Sequence, residues 1–170
     1  MIYMVEMDFR DAAREHDWHT WYLEHVTKLI LTVPGFRGSQ RFRALTATPS
    51  PWLALHDVAG PEVFASPQYA ANGGPASTGA WKDRHTNWYR NLFDGIDVVP
   101  AVPTNAHLLM AEGDAHLPAG IASIKLTSAG LDKSSARRAI AIIPDGRLSA
   151  PMLALPGVRV WKPITPQIRG

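Results

Sequence analysis

The chain has 170 residues, 46% of them hydrophobic, and 17 Lys and Arg against 15 Asp and Glu give a formal charge of +2. That apolar share excludes a disordered chain, and the scattered, nearly balanced charge argues against a nucleic-acid-binding surface. The absence of cysteine excludes disulfides, thiolate catalysis and cysteine-ligated zinc.

Residues 1–9 are short, apolar and β-compatible, and predict a first strand. They carry Glu6 and Asp8 and lack the basic start of a signal peptide. No apolar run approaches the ~20 residues needed to span a bilayer. A soluble cytoplasmic protein with no membrane partner is therefore expected. From Trp18 onward, Trp18, Trp21, Tyr22, Val26, Leu29, Ile30 and Val33 recur at steps of three and four and predict an amphipathic helix. Pro34-Gly35 stops it. Residues 36–45 and 52–58 predict two strands, separated by a Thr/Ser/Pro turn.

Residues 61–65 predict a short helical turn, and the glycines and prolines of 66–79 predict a loop. Trp81, His85, Trp88 and Leu92, at steps of four, three and four, predict a second helix that Thr78 caps and Gly95 ends. Residues 96–102 then predict a fourth strand. The order βαββαβ is that of the ferredoxin-like unit.

The remainder repeats part of this pattern. Met4-Val5-Glu6-Met7-Asp8 is similar to Met110-Ala111-Glu112-Gly113-Asp114 at an offset of 106. Pro34-Gly35-Phe36 is similar to Ala129-Gly130-Leu131 at an offset of 95. The expectation is an α+β fold with a ferredoxin-like repeat over 1–103 and a degenerate repeat over 104–170, shortened by 106 − 95 = 11 residues between its first two strands. Within it, strands are expected at 107–113, 134–143 and 158–164, and a short helix at 117–128. Residues 145–156 are too few and too Pro-rich for a full helix.

Five histidines draw attention. His25 lies inside the apolar stripe, where an imidazole either serves as a general base or acid or bonds a backbone carbonyl. His85 is flanked by Trp81 and Trp88, a setting that suits a flat ligand or a packed core. His56 alternates with Trp52, Ala54 and Val58 and points into the same cavity or half-exposes on its strand. His16 and His19 fall on the solvated side of the first helix. The pairs His16–His19 and His19–His25 lack partner carboxylates at ligand spacing, so no metal is expected. Arg41 is read as a structural partner of Glu6, or as the holder of a substrate carboxylate; Glu112 with Arg137 or Arg138 is the repeat equivalent. No phosphate loop, Rossmann fingerprint or Ser-His-Asp arrangement is present.

The run from Asp17-Trp18-His19-Thr20-Trp21-Tyr22-Leu23-Glu24-His25-Val26 to Val33-Pro34-Gly35-Phe36 and Arg41-Phe42 resembles the EthD-like proteins of the dimeric α+β-barrel superfamily. Trp52 to Val58 and Phe64-Ala65-Ser66-Pro67-Gln68-Tyr69 continue the resemblance, with His56 at a position where that family commonly has tyrosine. The resemblance implies two four-stranded sheets forming a barrel, here from tandem repeats, and self-association into a dimer. It implies no single reaction, because the superfamily hosts many.

Two function classes follow. The first is a cofactor-free enzyme acting on a small cyclic or aromatic compound by proton-transfer, isomerase, decarboxylase or oxygenase chemistry. His25 and His85 would be its catalytic residues, and Trp21, Tyr22, Arg41, His56 and Trp88 its substrate-binding residues. The second is a non-catalytic ligand-binding or assembly module using the same cavity.

Overall fold

The computed structural model covers residues 1–170 and describes the side chains of all but Pro75 and Ala76. Its first element, β1 (Ile2–Phe9), is buried on both faces. Ile2 and Met4 enter one core, whereas Tyr3, Val5, Met7 and Phe9 enter another. That double burial explains the apolar run Ile2-Tyr3-Met4-Val5. Helix α1 (Glu15–Thr32) buries Trp18, Tyr22, Val26 and Leu29 on the second of these cores. It ends where Val33 turns extended and Gly35 takes φ +83°, a conformation glycine adopts without strain.

Strands β2 (Phe36–Ala44) and β3 (Trp52–Val58) follow as expected. A 3₁₀ turn (Pro61–Ala65) and the short helix α2 (Pro67–Asn72) lead into a 3₁₀ segment (Pro75–Arg84). The expected second helix is absent: His85–Asp94 is a strand, β4. The strand expected at 96–102 is absent too, although Val99 and Val102 are buried against the first core. The second half supplies β5 (Ala106–Glu112), β6 (Ile124–Leu131), β7 (Arg137–Pro144) and β8 (Val158–Pro163). Irregular chain and β6 replace the helix expected at 117–128. A 3₁₀ turn (Asp145–Arg147) and the four-residue α3 (Ala150–Leu153) precede β8, and β9 (Ile168–Arg169) pairs beside β2.

All pairings are antiparallel. The strands run β2-β3-β1-β4 in the first half and β6-β7-β5-β8 in the second. The seams β2–β8 and β4–β6 join the halves and close an eight-stranded barrel. At the second seam Gly95, with φ +106°, passes the Lys125 carbonyl so closely that a Cβ would collide with it.

The register repeats as well as the order. Met4 pairs with Asn91 and Met110 with Arg159, so β4 maps onto β8 at an offset of 159 − 91 = 68. Gln40 pairs with Leu55 and Ile124 with Ile140, so β2 maps onto β6 at 124 − 40 = 84. These offsets carry the seam pair Ala44–Trp161 onto Ser128–Phe93, which is a pair of the other seam. The connection between first and second strands is therefore 106 − 84 = 22 residues shorter in the second half, not 11. Gly130 is not the equivalent of Gly35, for it lies inside β6 opposite Leu92.

The barrel interior is a core of Ile2, Met4, Phe42, Leu53, Phe93, Leu108, Met110, Trp161 and their neighbours. One end is polar. Arg138, 4% exposed at its side chain, pairs with Glu6 at 2.6 Å and Glu112 at 3.0 Å, and Arg159 bridges the same two carboxylates. The expected Glu6–Arg41 pair does not form. Glu6 lies on the interior face of β1, whereas Arg41 pairs in register with Ala54, on the outer face under α1.

Removing one buried partner leaves a charge without compensation. Arg138→Ala should therefore lower the unfolding free energy by about 3–5 kcal/mol, and the double change Glu6→Met with Arg138→Met by much less. Urea titration of the three chains measures both.

Candidate functional site

Helix α1 crosses the outer face of β3, β1 and β4, and between them lies a chamber of about 40 Å³. Trp21, Tyr22 and His25 line it from α1, His56 from β3, and His85 and Trp88 from β4. Six of the seven expected site residues thus meet in one place, drawn from elements up to 67 residues apart (Trp21 to Trp88). Trp21 and His25 stack at 5.1 Å with 9° between their planes. The same two rings also line an outer depression of about 330 Å³ with Glu24, Lys28, Ala71, Asn72 and Ser77. The chamber holds a group of a few heavy atoms, and the depression has room for the rest of a small ligand.

Arg41 is the residue that stands apart. It does not line the chamber; its guanidinium lies 4.0 Å over the Tyr22 ring and 4.6 Å over that of Trp18. It bonds His19 Nδ1 at 2.7 Å. His19 is thereby half-buried and packs against Trp52, a correction to its expected solvated position. Burial lowers the Arg41 pKa to about 10, which leaves it charged at neutral pH.

The local sequence explains how β4 presents its side chains. His85 and Trp88 are three apart, and a regular strand would place them on opposite faces. The pairing with β1 slips between Glu6 and Asp8, and Asn87 takes φ +45°. This bulge returns both rings to the face under α1. A strand so bulged mimics the three-and-four spacing of a helix, which is why residues 81–92 predict one.

Electrostatically the chamber lacks charged walls: among the described residues no Asp, Glu, Lys or Arg lines it. Burial, reinforced by Lys28, pushes the His25 pKa down to about 4. Burial, with His25 and Arg41 nearby, pushes His56 to about 3. Burial and Arg41 push His85 to about 4. All three imidazoles are neutral at pH 7. The Trp18 indole Nε1–H donates to His85 Nε2 at 2.8 Å. The Tyr3 and Tyr69 hydroxyls meet at 3.4 Å. His56 Nδ1, His85 Nδ1 and Trp88 Nε1 are buried without a protein partner, and each such group costs roughly 1–3 kcal/mol.

Protein-family models, curated proteins and solved structures contain no match to the chain. The site is therefore read from its own geometry. Sequence reasoning missed Trp18, Tyr3 and Tyr69. Trp18 was legible only as a core position of the helix, because its bond to His85 depends on packing across the sheet. Among the described residues no cluster of three or more His, Asp or Glu is arranged to hold a metal ion.

The depressed histidine pKa values have a consequence for stability. Unfolded histidines titrate near 6.5, whereas His19, His25, His56 and His85 stay neutral in the fold to pH 4 or below. Between those values the unfolded chain binds more protons, so stability is full above pH 6.5 and falls as the pH drops toward 4. The slope over pH 5–6 should approach about 1.4 kcal/mol per pH unit for each of the more deeply buried His25 and His56, and less for the partly exposed and solvent-screened His19 and His85. Urea unfolding at several pH values measures it, and His56→Phe should remove one residue's share.

Proposed function

We propose that this chain is a small-molecule-binding protein of EthD-like character, each half a ferredoxin-like unit, with the chamber under α1 as its ligand site. The single observation that carries the reading is the convergence of His25, His56 and His85 with Trp21 and Trp88 on one chamber, three of whose buried polar atoms have no protein partner. Packing alone is met better by Leu or Phe, which bring no polar atom to satisfy. The closed antiparallel barrel is the architecture that the EthD-like resemblance implies, here completed within one chain.

In this reading a small cyclic or aromatic carbonyl compound places its polar head in the chamber and its ring in the outer depression against Trp21. His25, at the junction of the two, takes a proton from the ligand on its free ring nitrogen and returns it at another position. No cofactor enters this step. A base whose pKa is about 4 is weak in the empty site, and negative charge developing on the ligand is what would raise it. That same low basicity favours a second reading, in which the chamber binds ligand without reacting.

The test uses cyclohexanone and acetophenone with the purified chain in D₂O. Proton NMR should show exchange at the carbon beside the carbonyl with the native chain, reduced about 10²-fold or more in His25→Gln, while binding followed by thermal shift persists. Unchanged exchange in His25→Gln removes the enzyme reading. Trp21→Ala should weaken binding about tenfold, as loss of a stacked aromatic contact does. Failure of both compounds to bind the native chain removes both readings.

A further inference from the structure

Trp18 determines the hydrogen-bonding character of His85. An indole N–H can only donate, so His85 Nε2, 2.8 Å away, must accept. A neutral imidazole that accepts at Nε2 carries its proton on Nδ1. That Nδ1–H is buried with no acceptor in the protein. Trp88 presents the same situation, because its indole N–H is also buried without an acceptor and has no other tautomer. The two rings are neighbours, their centroids 5.5 Å apart, and both line the chamber. Two adjacent donors with no acceptor specify what is missing, namely a lone pair on an oxygen.

The sign of the surroundings points the same way. No carboxylate lines the chamber among the described residues. Arg41 lies on its inner side, packed behind Trp18 and Tyr22 and without a salt bridge among the described residues. A cation in a poorly hydrated environment favours negative charge placed nearby.

We propose that His85 and Trp88 form a two-donor seat for a ligand oxygen that carries full or partial negative charge, the carboxylate or carbonyl oxygen of a small aromatic compound. Trp18 is its positioning residue, acting through His85. The proposal rests on the chamber being the ligand site and narrows what it takes. It gives His85 the role of hydrogen-bond donor to the ligand and leaves proton transfer to His25. Phenylalanine at position 88 would fill the same space without the donor.

The experiment is NMR on the native chain, labelled with ¹⁵N. Long-range ¹H–¹⁵N correlation reads the His85 tautomer directly and needs no substitution of the buried Trp18; the Nδ1–H form is expected. The chain is then titrated with sodium benzoate, benzaldehyde and aniline, following the Trp88 indole resonance, which is assigned by its loss in Trp88→Phe. Benzoate and benzaldehyde should move it downfield and saturably, benzoate binding about tenfold more tightly, and aniline should leave it in place. Trp88→Phe should weaken benzoate about tenfold or more, as loss of a charge-assisted hydrogen bond does. An Nε2–H tautomer at His85 overturns the seat. So does a probe that shifts Trp21 or His25 while the Trp88 indole stays still, although binding at the chamber then survives. If no probe perturbs Trp21, His25 or Trp88, the seat and the ligand site fall together.

Discussion

Closure of the sheet is the constraint on which the rest of this structure depends. Each half is a four-stranded sheet with two edges, and the seams β2–β8 and β4–β6 use all four. A closed sheet has no unpaired edge, and its strands must be buried on the inside. Eight strands leave an interior just wide enough for side chains, and here Met4, Phe42, Phe93, Leu108 and Trp161 fill it. The chamber lined by His25, His56 and His85 lies instead on the outer face, where α1 forms a second layer.

Closure also accounts for the polar end of the barrel. Glu6 and Glu112 are related by the repeat at the offset of 106 and face each other across the lumen, where a buried and a half-buried carboxylate alone would repel. Arg138 and Arg159 are not related to each other by the repeat, since their counterparts are Leu53 and Asn91. Symmetry thus supplies the problem, and departures from symmetry supply the answer. Taking four charges from water is costly, and the network holds because every member has an opposite neighbour.

The same asymmetry governs the outer faces. In the first half an 18-residue helix packs on the sheet. In the second half Leu109, Ile143 and Val160 are covered by the smaller contributions of Leu117, Ile121, Leu148 and Met152. A chamber requires a spacer that holds a layer away from the sheet, and tryptophan and histidine rings on α1 do this. Short apolar side chains close down on the strands instead. Two similar halves therefore carry one chamber of this kind, beneath the only long helix among the described residues.

The sequence by itself determined whatever depends on near neighbours. The stripe from Trp18 to Val33 and the Pro34-Gly35 stop were enough for α1, because helix periodicity is a local property. Apolar, β-compatible stretches and the turn residues between them were enough for β1, β2 and β3, and the match of Glu6 to Glu112 exposed the repeat. His25, His56, His85, Trp21, Tyr22 and Trp88 were legible as a group because polar or aromatic side chains stood where apolar filler was expected. What the tertiary structure decided lay in pairing between distant segments. Residues 85–94 became a strand because β1 and β6 offered them ladders on both sides, an advantage no local periodicity encodes. The bulge at Asn87 then placed His85 and Trp88 on one face. Arg41 faced away from Glu6 because register with β3 assigned it to the outside, and a shift of one residue exchanges every inward side chain for an outward one. The bond from Trp18 to His85 spans 67 residues. It exists only because the helix and the fourth strand are packed on the same side of a closed sheet.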